Sequence, residues 1–300
     1  MERIDSDFKS NGAKCTGWLY RPEGESKPPV VVMAHGFAAQ RDFGLQPFAE
    51  RFAGAGMAAF LFDYRNFGDS EGEPRNLVSP RRHLQDWQAA ICHVRGLPGV
   101  DATRLALWGS SYSGGHVLVT AARVRGISAV VSQVPFVGGL ATATMFSPGF
   151  VLEALAKGVI DLGRAATSRP PYYVPVVGAP GTFAMMNTPE SLPGYSSLIP
   201  DGSDWMNWVP ARAALTMTVY SPASHAGSVT CPVLIVCAEN DSLIPSWAVR
   251  KTAEKIGRSR LVSLPIGHFD VYKGAAFEFA VDEEVDFLRE KLQGAAAASV

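Results

Sequence analysis

Six short runs of β-branched and other apolar residues recur along the chain, most of them at intervals long enough to hold a helix, and no other feature constrains the fold as strongly. They are VVVMAHG (30–36), AAFLFDY (58–64), RLALWGS (104–110), AVVSQVP (129–135), VLIVCAE (233–239) and LVSLPIG (261–267). Strands separated by helical patterns pair through crossovers rather than tight turns, so these runs predict a mainly parallel sheet with helices on both faces. Upstream, FKSNGAKCTGWLY sets an Asn11-Gly12 turn between extended stretches, which predicts a hairpin that places an antiparallel pair at the sheet edge. The predicted sheet then has about eight strands. Ser79 and Pro80 read as an N-cap and first turn, and Leu84, Trp87, Ile91 and Val94 repeat at helical spacing over 80–95. A second stripe, Phe277, Val281, Val285, Leu288 and Leu292, predicts a C-terminal helix with Glu283, Glu284, Asp286, Arg289 and Glu290 largely on its wet face.

One interval breaks the rhythm. About ninety residues separate the strand near Pro135 from the strand near Pro232, too long for a structureless connection inside a compact domain. The expectation is a core formed by 1–136 and 229–300, with 137–228 inserted as a lid that has short helices of its own. Charged residues there thin to roughly half the density of the whole chain. Met145, Phe146, Phe183, Met185, Met186, Trp205 and Trp208 make its inner face apolar, suited to hydrophobic acyl or alcohol groups and equally to packing the lid itself.

Composition narrows the function. The chain has 300 residues, 47% hydrophobic and 18% charged, with net charge -1, which suits one large core and leaves no basic run for nucleic acid. No apolar stretch has the length of a membrane span, and MERIDSDFKSNG lacks the pattern of a secretory leader, so the expected location is cytoplasmic. Cys15, Cys92, Cys231 and Cys237 form no CxxC pair and no ligand spacing with histidine. They read as small buried hydrophobes, so neither a metal site nor a disulfide framework is expected.

Two serines compete for a catalytic role. The literal GxSxG is Gly68-Asp69-Ser70-Glu71-Gly72, but Ser70 follows its strand by several residues, no apolar helix opens at it, and Asp69 and Glu71 would oppose charge building on an oxyanion. That segment reads as a turn cluster in which Asn66, Gly68 and Gly72 take unusual backbone angles. In LALWGSSYSGGHVL, by contrast, a buried strand runs straight into a helix. Ser111 there has Gly109 at minus two and Ser113 at plus two, both small enough for a nucleophile elbow. Ser110 has Trp108 at minus two and Ser113 lies inside the helix, so both are weaker candidates. A phosphate-cradling loop would need GxGxxG or GxxxxGK[ST], and neither is present.

A serine nucleophile needs a base and an acid to orient it, following in the order serine, acid, histidine on this strand-turn-helix architecture. His268, in LPIGHFD after the last strand, is the histidine downstream of the late acid and at a strand's C-terminal end. His83 and His93 are expected on a surface helix, His116 buried behind the elbow, and His225 ahead of a strand. Asp241, just beyond VLIVCAE, is the expected acid, with Glu239 its nearest rival; no Asp or Glu occurs between Gly126 and Leu152. The expected oxyanion donors are the amides of Tyr112 and Phe37, with His35 fixing the latter's loop.

HGF, DYRNFGDSEG, WGSSYSGG, ENDSLIP and GHF, in this order, resemble the α/β-hydrolase superfamily over essentially the whole chain except the lid. The chain is similar to serine esterase, acyl-peptidase and dienelactone-hydrolase-like members, and to fungal polyketide transferases and thiohydrolases that share the DYR.FG.S.GEPRN segment. The resemblance implies an eight-stranded α/β core, a cap over the site and no cofactor. Ser113 and Asn66 depart from it, each standing where glycine is usual. The expected activity is hydrolysis of a small-molecule carboxylic ester through an acyl-enzyme, by Ser111, His268 and Asp241. Acyl transfer or thioester cleavage on the same fold is the alternative, and a non-catalytic receptor is a more remote one. Oligomeric state, a homodimer included, is left open.

Overall fold

The computed structural model of the protein describes residues 1–294. Its central sheet has eight strands: β1 (Glu2–Asp5), β2 (Gly17–Arg21), β3 (Pro29–Ala34), β4 (Ala58–Phe62), β5 (Asp101–Ser110), β6 (Ala129–Gln133), β7 (Val233–Ala238) and β8 (Ser259–Leu264). They lie in the order β1-β2-β4-β3-β5-β6-β7-β8. β2 is antiparallel to both β1 and β4, and every other pair is parallel. Each of the six apolar runs becomes a parallel strand. Alternate residues feed opposite faces: Val30, Val32, Phe60, Leu105 and Leu107 pack on one side, while Val31, Met33, Leu61, Trp108 and Val236 pack on the other.

Helices cover both faces. α1 (Gln46–Gly54) lies on the second face, α2 (Pro80–Arg95) and α3 (Tyr112–Arg123) on the first. Between β6 and β7 come α4 (Gly139–Ala143), α5 (Pro148–Ala166), α6 (Ser191–Ser196) and α7 (Ala213–Val219). α8 (Ser246–Glu254) then returns to the first face and α9 (Gly274–Gln293) closes the second. In the β6–β7 insert, α5 is not short. It runs 19 residues with Ser147 Oγ accepting from the Phe150 amide, and the buried Asp161 accepts from the Tyr172 amide, at 2.7 Å, and from Arg212 Nε, at 2.6 Å.

Several expectations need correction. The Asn11-Gly12 turn forms, both residues having positive φ, but its strands, Phe8–Ser10 and Ala13–Cys15, make a separate ribbon. The chain leaves the β1–β2 ladder after the Ser6–Gly17 bond and folds over so that Phe8 meets the rings of Phe60 and Phe62. The antiparallel edge is built from the flanks, β1 and β2. Ser79 precedes α2, yet its hydroxyl caps nothing. The buried stripe of α2 is His83, Trp87, Ala90, Ile91 and Val94, so His83 is interior and Leu84 only half-buried. Cys92 is exposed, whereas Cys15, Cys231 and Cys237 are buried, and all four are free.

Glu284 also departs from its expected wet face. It is wholly buried in α9, accepting a 2.8 Å hydrogen bond from Trp108 Nε1, and burial pushes its carboxyl up to about 8. Above pH 4.5, the ordinary value, the unfolded chain releases this proton while the folded chain keeps it, so stability falls as pH rises toward 8. Glu284→Gln, neutral at every pH, is expected to raise Tm relative to the native chain by an amount that grows from pH 5 to pH 8. An unchanged difference between the two pH values in thermal melts would show that Glu284 is ionised in the fold.

Candidate active site

Ser111 occupies the single residue between β5 and α3, with φ 57° and ψ -118°. A non-glycine residue there is strained, and its neighbours hold it on both sides. The Ser111 amide donates to Gln133 O and the Phe136 amide to Ser111 O, each at 2.9 Å. Gly109 is required, since a Cβ on it would lie 2.4 Å from Ser113 O. Serine is tolerated at plus two because the buried Ser113 turns its hydroxyl to Tyr64 OH, 2.8 Å away. Ser110 faces the core, within 2.9 Å of Gln133 Nε2 and 2.5 Å of Tyr272 OH.

The structure brings the expected partners to Ser111. His268 Nε2 lies 3.0 Å from Ser111 Oγ, and His268 Nδ1 lies 2.6 Å from Asp241 Oδ2. The other Asp241 oxygen accepts from the amides of Leu243 and Ile244, both at 2.8 Å. With Nδ1–H committed to the carboxylate, Nε2 is free to accept the serine proton. Burial alone would disfavour the imidazolium, but the charge of Asp241, its hydrogen bond and the charge of Glu190 outweigh that and raise His268 above the usual 6.5. Glu239, the rival acid, pairs instead with Arg250 at 2.7 Å near the surface. The nitrogen of His225 faces Arg123 Nη2.

The expected oxyanion donors flank the serine. Among the described residues the amides of Phe37 and Tyr112 have no hydrogen-bond acceptor within the chain. A Cβ on Gly36 would come 3.1 Å from Ser111 Cβ, so glycine lets the Phe37 loop lie close to Ser111. Burial drives His35 down to about 3, which keeps it neutral. Its Nδ1–H donates to Gly36 O at 3.0 Å, orienting the peptide that carries the Phe37 N–H. Two side chains of the insert hold the same loop: Tyr195 OH donates to Phe37 O at 3.0 Å and Trp205 Nε1 to Ala38 O at 2.9 Å.

Around Ser111 little space is left. An apolar cavity of about 50 Å³, bounded by Phe136, Phe146, Met185, Met186, Met217 and Leu243, opens on one side, and about 30 Å³ beside Phe43, Tyr195 and Leu198 on the other. A further 80 Å³ or so lies beyond the first, with Phe146, Met185 and Met217 bordering both. Of the apolar lid residues anticipated from the sequence, Phe146, Met185 and Met186 face the site. Phe183 stacks on Phe150, Trp208 packs on Tyr173, and Met145 is exposed. Glu190 and Tyr195 carried no sequence signal, because nothing in the insert announces which residues fold back on the core.

An alpha/beta hydrolase family model matches residues 31–277. The chain belongs to that family. Among curated relatives, it is 39% identical to the quorum-quenching protein AidA of Acinetobacter baumannii, over 95% of this chain and 94% of that one. A thiohydrolase of Aspergillus aculeatus is 28% identical, with 95% and 92% covered, and a polyketide transferase of Stachybotrys chlorohalonatus is 26% identical, with 98% and 99% covered. The same fold is seen in the DcsB complex with its substrate analogue, at a TM-score of 0.87 and 24% identity, spanning 98% of this hydrolase and 100% of that chain. No helix among the described residues is long and apolar enough to cross a membrane.

Ser70, in the literal GxSxG, is buried, and among the described residues neither a histidine nor a carboxylate bonds its hydroxyl. Its Oγ accepts from the Thr16 amide at 2.9 Å and donates to Asp63 O at 3.0 Å. Ser70→Ala strands that amide, and is expected to cost about 1–3 kcal/mol in urea unfolding. A loss near zero would mean that another acceptor replaces the hydroxyl.

Proposed function

We propose that this hydrolase cleaves a carboxylic ester of a small to medium hydrophobic molecule through an acyl-enzyme on Ser111. The observation that carries this reading is the unbroken chain Ser111–His268–Asp241, two short contacts ending at the strained serine. In it, His268 takes the Ser111 proton as Oγ attacks the ester carbonyl, and Asp241 holds the imidazole in the tautomer that can do so. The amides of Phe37 and Tyr112 receive the oxyanion, the loss of one such donor typically costing about 3 kcal/mol of transition-state stabilisation. His268 then protonates the departing alkoxide, and water, activated by the same base, releases the acid. In this reading residues 137–228 serve as a lid over the core formed by 1–136 and 229–300.

A second reading is acyl transfer to an alcohol, favoured by the small, mostly apolar space around Ser111, which limits water, or cleavage of a thioester at the same site. Relatives named thiohydrolase and polyketide transferase support it. Product analysis with added alcohol separates transfer from hydrolysis, ester formation marking the former.

Ser111→Ala is expected to lose both fluorophosphonate labelling, read by intact mass, and turnover of p-nitrophenyl butyrate, while Ser70→Ala keeps the label. Label retained in Ser111→Ala would overturn the assignment of the nucleophile. Because His268 must be neutral to accept the proton and its pKa is raised, the acidic limb of kcat/KM is expected above pH 6.5. A limb below that value in a pH–rate profile would contradict the Asp241 contact as the dominant influence.

The side chains that separate the two apolar cavities set a chain-length limit. Phe146→Ala is expected to join them and move the preferred p-nitrophenyl ester to a longer acyl chain, measured as the kcat/KM maximum across a series from acetate to laurate. An unmoved maximum would place the acyl chain on the Phe43 side instead.

A further inference from the structure

Glu190 lies in the insert, immediately before α6, but its side chain makes no capping bond to that helix. It reaches away, to two loops of the core. One oxygen accepts from the Ser242 amide at 2.9 Å and from the Ser242 hydroxyl, in the residue next to Asp241. The other accepts from the His268 amide at 2.9 Å. The approach to the base loop is so close that a Cβ on Gly267 would stand 2.3 Å from this carboxylate, so the loop needs glycine there. Thr188, two residues earlier, adds its hydroxyl at 2.7 Å from Ser242 Oγ.

We propose that Glu190 is a positioning residue for the triad, a carboxylate supplied by the insert that ties the acid loop to the base loop and so sets the Asp241–His268 contact. The proposal rests on the reading of Ser111, His268 and Asp241 given above. Nearer the strand ends, Asn240 joins the two loops through Ile266 O and Pro265 O. At the level of the triad, the acid–base pair itself and Glu190 span the gap. Three donors converge on Glu190, and only a carboxylate has acceptors on both oxygens. A glutamine would satisfy one loop and turn its NH₂ toward the donor of the other.

The charge acts as well as the shape. Facing His268 are the carboxylates of Asp241 and Glu190. Asp270, in its own loop, is bonded to the Gly267 amide at 2.8 Å. His35, neutral, and the buried phenols of Tyr195 and Tyr272 border the same space. Glu190 therefore adds a second negative charge that favours the imidazolium formed when Ser111 is deprotonated. Because Met185 and Met186 border the substrate cavity and Glu190 follows within four residues, the same strand of insert shapes the acyl site and holds the triad loops.

The test compares the native chain with Glu190→Gln and Glu190→Asp, in kcat and KM for p-nitrophenyl butyrate across pH. It also follows NMR titration of the His268 imidazole in ¹³C-histidine-labelled protein, the signal being assigned by its loss in His268→Ala. Glu190→Gln is expected to lower kcat about tenfold to a hundredfold, the scale of a small misplacement of catalytic groups, with KM little changed. Removing the charge also shifts the His268 titration, and with it the acidic limb of kcat, to lower pH. Glu190→Asp keeps the charge but cannot reach both loops, so kcat falls while the titration stays closer to the native midpoint. Native kcat together with an unmoved titration in Glu190→Gln would overturn the proposal, and so would native kcat in Glu190→Asp should the glutamine variant not fold. A native chain without turnover would count against the triad reading alone, since the titration still reports whether Glu190 acts on His268.

Discussion

Ser111 is held at φ 57° and ψ -118°, a backbone conformation that costs a non-glycine residue on the order of 1–3 kcal/mol, and the geometry of the site follows from how the fold maintains it. β6 and the segment just after it do so from one side, accepting the Ser111 amide on Gln133 O and returning the Phe136 amide to Ser111 O. Inside the turn, Gly109 leaves room for Ser113 O. With both peptide groups of the serine engaged by that strand and the segment after it, relaxing the strain would break hydrogen bonds in a buried region, which costs more than the strain itself. The hydroxyl is thereby lifted above the sheet edge.

The strand order decides what meets it there. β3 lies on one side of β5 and β6, β7 and β8 on the other, all parallel, so their C-terminal ends share one edge. The loop after β3 brings Phe37 to one flank of Ser111, and the loops after β7 and β8 bring Asp241 and His268 to the other. Residues far apart in sequence thus converge without any local motif joining them. Polar groups at this edge are held by short hydrogen bonds: Asp241 by two amides and an imidazole, His35 Nδ1 by Gly36 O, Tyr195 by Phe37 O.

Much of this arrangement is legible in the sequence because strand periodicity and the strand-turn-helix at Ser111 are local properties. The six apolar runs became six strands, and the positions of Asp241 and His268 followed from their places beyond strand ends. What escaped was decided by tertiary contact. His83 looked like a surface residue of α2, yet it stacks on Tyr64 at 4.1 Å and bonds His116 at 3.2 Å, and burial holds both imidazoles neutral. Glu284 looked solvated by its charge, although it lies three residues after Val281 and four before Leu288 on the apolar stripe, and in the interior it accepts from Trp108. α1 and α8 are each only nine residues long, so their buried stripes, Phe48, Ala49, Phe52 and Ala53 in one and Ala248, Val249, Thr252 and Ala253 in the other, repeat only once. The insert was recognisable by its length, while which of its residues return to the core, Glu190 and Tyr195 among them, depends on folding that no periodicity encodes.

The literal GxSxG acquires a role once its contacts are traced. Asp63, at the end of β4, accepts from the Arg41 amide at 2.7 Å and pairs with the Arg41 guanidinium, which also reaches Asp69 at 2.6 Å and lies over the Trp18 ring. Gly68 has φ 49°, and a Cβ on it would stand 2.2 Å from the Asp63 carboxylate, so glycine is what lets the loop close over that buried charge. Ser70 then fastens the loop to Thr16 and to Asp63 O. Arg41 belongs to the segment that begins with His35 and Phe37. The DYRNFGDSEG stretch therefore braces, from below, the loop that presents the Phe37 amide, and the buried ion pair does so at a desolvation cost that only a fully bonded geometry offsets. A motif that looks like a nucleophile is, in this chain, part of the scaffold behind the loop that carries the Phe37 amide.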